Sequence, residues 1–452
     1  MRAFWTVVHR WMGLITAAFL FITGLTGVVI SWDHELDEWL NPQLTRARAQ
    51  GTPLPPLELV RLIEARHPEV RVTYMPMAAE EGKSIAASIS PRVDAATGKL
   101  FEPGFNQVFV DPVSGEELGR REWGRVWPVT RETAVSFLYK MHYTLHLPVM
   151  FGTDRWGPWL LGVIALIWTF DCFVGFYLTL PLRKRRSTPA APTTEPAVEA
   201  GNPQGAPRSF WQLWKPAWQV RWGAGRYRLN FDLHRAFGLW TWVLLFILAF
   251  TAFSMNLYKE IFIPVMSVVS KLTPSPYDTR EMAALPIESK VSYAEAIAIA
   301  DREARSRGWT EPVGYLYHAE YYGIYSIAFF HPEDGHGAGG VGHRELQLDS
   351  QDGRILGARL PWKGTAADVF VQAQFPLHSG RILGLPGRIL ISLMGLVVAM
   401  LSVTGVIIWW KKRTGRVRSA QRTPARAEGL PASTASVARV IEPQRGPQET
   451  AQ

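Results

Sequence analysis

The sequence predicts an α-helical integral membrane protein: four membrane-spanning helices in two repeats, each repeat carrying an extramembrane α/β module. Three observations lead there. Stretches 12–32, 236–258 and 389–410 are free of charge, and 157–182 is interrupted only by Asp171; a span needs about 20 apolar residues. The chain is also written twice, "VVHRWMGL" (7–14) returning as "DLHRAFGL" (232–239). Finally, clusters of Lys and Arg stand at alternate ends of the apolar stretches, as they do in multi-pass proteins.

The elements follow in order. The first span, within 1–32, is preceded by Arg2 and Arg10 with no acid. It lacks a small-residue cleavage site and is expected to stay as an anchor. Residues 33–155 form the first module. There "PLELVRLIEARHP" has amphipathic helical spacing, "KSIAASIS" reads as a strand, and "VFVDPVSGEELGRR" (108–121) reads as strand, D-x-x-x-G turn and strand. The second span, 156–182, closes on "RKRR" (183–186).

Within 183–232, a Pro/Ala/Thr-rich linker (187–207) is expected to be disordered. Trp211, Trp214, Trp218 and Trp222, spaced by three and four, predict one face of an interfacial helix. The third span is placed at 233–258 and the second module at 259–385. That module repeats the pattern with "YAEAIAIADREARSRG", "YGIYSIAFF" and "LQLDSQDGRILGAR" (346–359). A fourth span, 386–410, meets "KKRTGRVR" (411–418), and 411–452 is expected to be a disordered tail.

The basic residues place both termini and the 183–232 loop in the cytoplasm, and so the modules outside. They account for much of the net charge of +9, so lipid is the implied partner and nucleic acid is not. Cys172 is the only cysteine. That excludes an intrachain disulfide, a covalent C-x-x-C-H haem and cysteine-ligated iron–sulfur clusters.

Of 11 histidines, five sit at the membrane boundary: His9 and His234 at the cytoplasmic ends, and His142, His146 and His378 at the opposite ends. Thr26 and Thr251 each follow a cytoplasmic-end histidine by seventeen residues. "YTLHLPVMFG" (143–152) parallels "FPLHSGRILG" (375–384), aligning His146 with His378 and His142 with Gln374. A zinc site wants three or four ligands, and a proton relay does not explain equal placement at both faces. Two noncovalent haem b groups do, each iron held by imidazoles from two helices.

The expected iron ligands are therefore His9 with His234, and His146 with His378. His142 is either a substitute ligand or a polar group one turn away. Arg10 and Arg235 can pair haem propionates or simply reflect topology. Asp171 is expected to bond a neighbouring Trp or Thr rather than pass protons. His331, His336, His343 and Asp334 stand in a glycine-rich stretch expected to be a hairpin loop rather than a metal site. No G-x-G-x-x-G follows a strand, so an electron donor must be a separate molecule.

"HRWMGL…TGVVISWDHELDEWLNP", "DCFVGFYLTLPLRKRR" and "DLHRAFGL" together resemble the PepSY-associated transmembrane family, over about residues 4–414. The resemblance implies a multi-pass protein of the bacterial inner membrane with two periplasmic PepSY modules. It also implies a dihaem ferric-siderophore reductase, His9, His146, His234 and His378 matching its positions. Some relatives carry a fused flavoreductase domain, which this chain lacks. The expected activity is reduction of periplasmic siderophore iron with electrons from a cytoplasmic or membrane donor. The rivals are a quinol-linked b-type cytochrome and a non-enzymatic regulator or peptide-binding protein.

Overall fold

The computed structural model describes residues 1–182 and 208–428, with side chains to residue 418. The basic stop 183–186, the linker 187–207 and the tail beyond 428 lie outside the described residues. Among the described residues, three helices are long and apolar enough to cross a membrane: α1 (Arg2–Ile30), α4 (Trp156–Thr179) and the span within α9 (Gly384–Glu428). Between them in sequence come α2 (Pro56–Arg66), α3 (Ala134–Thr144), α5 (Arg226–Trp240), α6 (Trp242–Asn256), α7 (Tyr293–Ser306) and α8 (Ala366–Ser379).

The third span is not the straight helix expected over 233–258. In its place stands the broken pair α5–α6, bent by 73°, which is long and apolar enough to cross a membrane only when the two helices are taken together. At the break Thr241 leaves helical geometry, with φ −107° and ψ 10°, and its hydroxyl donates to Phe237 O at 2.7 Å. α6 alone has 15 residues, about 22 Å, shorter than the roughly 30 Å hydrocarbon layer. Elsewhere glycine permits close crossing. A Cβ on Gly24 would lie 2.8 Å from Gly395 O, and one on Gly395 would lie 2.6 Å from Gly24 O. At that point the α1 and α9 backbones touch.

The tryptophan segment also differs from expectation. Phe210–Trp214 is helical, but Lys215–Trp218 tightens into a 3₁₀ turn, where Pro216 removes a helix donor. Trp214 is buried against Phe176 and Leu239, while Trp211 and Trp222 are exposed. Trp211, Trp214 and Trp218 still meet in series, with ring centroids 5.3 and 5.2 Å apart, but Trp222 lies beyond the helical turns, so the four do not line one helix. The helix expected to stop at 410 continues to Glu428; its extension carries five Arg, two Lys and three Ala, which favour helix, and it runs on through Gly415 and Pro424.

The two expected modules are one sheet. β1 (Val70–Pro76), β2 (Ile85–Pro91), β3 (Gln107–Val110) and β4 (Glu117–Arg121) form one half. β5 (Val313–Ala319), β6 (Ile324–Phe329), β7 (Arg344–Asp349) and β8 (Ile355–Arg359) form the other. The order is β4-β3-β2-β1-β5-β6-β7-β8, antiparallel throughout. β1 pairs β5 through Tyr74↔Tyr317, Met75↔Leu316 and Pro76↔Tyr315. Separate modules would each leave an unpaired edge there, and pairing removes both.

α2 and α7 provide the helical layer, Leu59 and Ile63 packing on Val72 and Val108, and Ala296 and Ala300 on Leu316 and Ile327. Tyr293 and Met77 touch both cores. The sheet leads back through α3 into α4 and through α8 into α9, so it caps one end of the bundle.

Candidate functional site: two facing histidine pairs

At the sheet end, His142 on α3 faces His378 on α8, with ring centroids 6.2 Å apart and planes at 62°. Each ring is held by a threonine of a neighbouring helix. The Thr26 hydroxyl donates to Ile22 O at 2.8 Å and lies 3.1 Å from His142 Nδ1. Thr251 donates to Ile247 O at 2.7 Å and lies 2.9 Å from His378 Nδ1. A hydroxyl has one proton. Having given it to the helix, each threonine only accepts, so Nδ1 carries the proton and the Nε2 lone pair is left free.

The other pair repeats this logic at the far end. His9 on α1 and His234 on α5 have centroids 6.3 Å apart and planes at 59°. His234 Nδ1 donates to Leu401 O at 3.1 Å and lies 2.9 Å from Thr404 Oγ1, whose own proton goes to Met400 O at 2.8 Å. His9 Nδ1 donates to Asp171 Oδ1 at 2.8 Å. Asp171 thus bonds a histidine, not the Trp or Thr expected.

Glycine makes room beside the rings. A Cβ on Gly27 would come within 3.1 Å of His142 Cε1, and one on Gly405 within 3.2 Å of His234 Cε1. His9 and Thr26 are seventeen residues apart on one helix, which separates the two pairs by about 25 Å along the bundle.

His146 does not face His378. α3 ends at Thr144, and Leu145 and His146 both take left-handed conformations, φ 53° and 52°. The turn throws the His146 ring onto Phe137, centroids 4.5 Å apart, where Nε2 donates to Phe137 O at 2.8 Å. α8 instead runs through Pro376 to Ser379 and keeps His378 helical. Gln374, aligned with His142, donates no imidazole; its Oε1 accepts from Ser254 at 2.8 Å.

A cavity of about 1070 Å³ opens at this end, lined by His142, His146 and His378, with Leu20, Gly24, Trp168 and Leu248 among its apolar residues. Its cationic lining includes Lys140, Arg155, Arg381 and Arg388. Arg388 is engaged by Ser31 O at 2.9 Å and Glu35 at 2.8 Å, and Arg155 by Glu260 at 3.1 Å. The Arg381 guanidinium lies over Phe375 at 5.4 Å and has no hydrogen bond or ion pair among the described residues.

At the opposite end, Arg235 pairs with fully buried Asp232 at 3.1 Å, which also binds Arg221 at 2.8 Å and Arg228 at 3.3 Å. Arg10 Nε is buried with no partner among the described residues. In the 331–345 stretch, which joins β6 to β7, His343 stacks on Phe330 at 4.0 Å and bonds Gly335 O at 3.0 Å, and Asp334 accepts from the His331 backbone N–H at 2.8 Å. His336 lies 6.0 Å from His34, ring to ring. Among the described residues no group of three or more His, Cys, Asp or Glu is arranged to hold a metal ion.

Two imidazoles bound on opposite sides of one metal ion, with bonds of about 2 Å, would have ring centroids about 6 Å apart, a spacing that both pairs match. Fixing the remote nitrogen by a hydrogen bond orients such ligands and fixes their tautomer.

The sequence matches the family described as PepSY-associated TM region over residues 6–412. The chain belongs to that family. No curated protein matches it significantly. As a PepSY-associated TM protein it is a membrane protein with several apolar helices, and the matched region contains both histidine pairs. Sequence reasoning missed Thr404, Arg381 and the Asp171–His9 bond. The first had a signal, since the Thr-Gly dipeptide of 26–27 recurs at 404–405.

Proposed function

We propose that this protein carries two noncovalent haem b groups and passes electrons across the inner membrane to ferric iron held by a periplasmic siderophore. His9 with His234 would hold one haem and His142 with His378 the other. The observation that carries this reading is the pair of facing imidazole couples at opposite ends of one bundle, each with its lone pairs freed by a fixed tautomer. Haem, when bound, supplies a reversible one-electron iron couple.

The residues fit such a group. The sheet-end cavity is apolar around the imidazoles, and unpaired Arg381 suits a propionate carboxylate. At the other end Arg10, with its unpartnered Nε, suits the same role. The basic ends of the spans favour a cytoplasmic position for the His9 end. Electrons then enter there from a separate donor and leave beside the sheet. Reduction weakens iron's hold on hard oxygen ligands, and the metal is released. His146, turned away onto Phe137, orders the cavity wall.

Oxidised and reduced spectra of protein purified in detergent, with a pyridine haemochrome assay, test this directly. About two b-type haems per chain are expected, all extractable by acid–acetone. A haem-free preparation from haem-replete cells would overturn the proposal. In vesicles of known orientation, a reductant sealed on the His9 side should reduce a ferric siderophore on the sheet side, with Fe(II) trapped by a chelator. Reduced protein that ignores several ferric siderophores but reacts quickly with a quinone would replace the acceptor.

A further inference from the structure

Three of the four candidate ligands give their Nδ1 proton to neutral oxygens: His142 to Thr26, His378 to Thr251, and His234 to Leu401 O and Thr404. His9 gives its proton to a carboxylate. Asp171 Oδ1 lies 2.8 Å from His9 Nδ1, the Asp171 side chain is 11% exposed, and it has no other ion pair among the described residues. The two repeats differ here by a swap. In the register that aligns Gly175 with Gly405, Asp171 stands opposite Leu401, and Val174 opposite Thr404. The second repeat holds its imidazole with a hydroxyl and a carbonyl, the first with a charge.

A carboxylate in a poorly solvated position pulls the Nδ1 proton towards itself and makes the imidazole a stronger, more anionic donor. A more anionic ligand set stabilises the ferric over the ferrous state. Neighbouring cations do not cancel the contrast. Arginines adjoin both sites, Arg10 and Arg235 at one end and Arg381 and Arg388 at the other; Arg235 shares Asp232 with Arg221 and Arg228, Arg388 is paired with Glu35, and none of the four is hydrogen-bonded to a candidate ligand among the described residues. A carboxylate touches a candidate ligand at one end only.

We infer that Asp171 is a positioning residue that sets the reduction potential of the His9–His234 centre below that of the His142–His378 centre. Each electron that leaves the first centre oxidises it and reduces the second, downhill towards the sheet. This inference rests on the haem reading above.

Redox titration of the purified holoprotein tests it. Asp171→Asn keeps an oxygen for His9 Nδ1 but removes the charge. It should raise the potential of the His9–His234 centre enough to shift the electron partition at least tenfold, about 59 mV for one electron, and leave the other centre in place. His378→Ala, which retains only the His9–His234 centre, identifies that centre in the wild-type titration, where it must be the lower of the two. An unchanged potential in Asp171→Asn with both haems bound overturns the inference. So does loss of one haem from that variant, which would make Asp171 a holder of the ligand rather than a tuner of it. A wild-type assignment in the opposite order overturns it without any Asp171 variant. Wild-type protein without haem defeats the underlying reading instead.

Discussion

At the scale of single residues, His142 and His146 exchange the roles that the repeat alignment assigns them. The alignment carries helix register from α8 to α3, but α3 stops two residues short of His146. A leucine in the left-handed region has no sequence signal, because nearly every such position that sequence reveals is glycine, Asn or Asp. The boundary histidines and the threonines seventeen residues on were legible; which histidine faces inward was not. His142→Ala should therefore lose one of two haems, and His146→Ala should keep both, as read by haem-to-protein ratio and the reduced spectrum. Thr251→Val keeps the shape of the side chain but leaves His378 Nδ1–H without its hydroxyl acceptor. Losing one of two acceptors, with Leu248 O remaining, costs about 1 kcal/mol, and loss of a ligand's outer partner weakens metal retention about 10–100-fold. Haem transfer to apomyoglobin should be faster from that variant by a comparable factor.

At the scale of elements, the amphipathic helices and the D-x-x-x-G turns were readable because their periodicity and turn chemistry are local. In the first turn, burial by itself would raise the Asp111 carboxyl, but backbone N–H groups of Ala49, Ser114, Arg48 and Val113 outweigh it and hold it at about 2. A carboxyl depressed on folding stabilises the native state above its unfolded value, and that stability is lost as pH falls through about 2. Asp111→Asn should cost about 2 kcal/mol near neutral pH, and the gap from wild type should close between about pH 4 and pH 2 in chemical denaturation. The bend at Thr241 and the break at Pro216 were less legible, since hydropathy averages over both. The glycine contact between α1 and α9 was invisible for a different reason: it joins residues far apart in sequence. Gly24→Ala places a methyl group against backbone, so a loss of about 1–3 kcal/mol is expected, measurable as a lower melting temperature in detergent.

At the scale of the whole molecule, the repeat was plain in the sequence, but the joining of its two halves was not. Strand edges say nothing in sequence about which partner they will take. Because β1 and β5 complete each other, the extramembrane part should unfold as one cooperative unit. Hydrogen exchange should find the amides of β1 and β5 among the slowest, opening together with β2 and β6. Two separable transitions, one for each half of the sheet, would contradict the continuous pairing.

Each histidine pair takes one ring from each repeat: His9 and His142 come from the first, His234 and His378 from the second. A chain severed between residues 182 and 208 yields two pieces, each owning half of both centres and the whole of neither. Neither fragment should colour when expressed alone. Co-expressed, the two should reassemble around the shared sheet and recover both centres together, so that doubling a gene segment here makes a functional object that no single copy is without a mate.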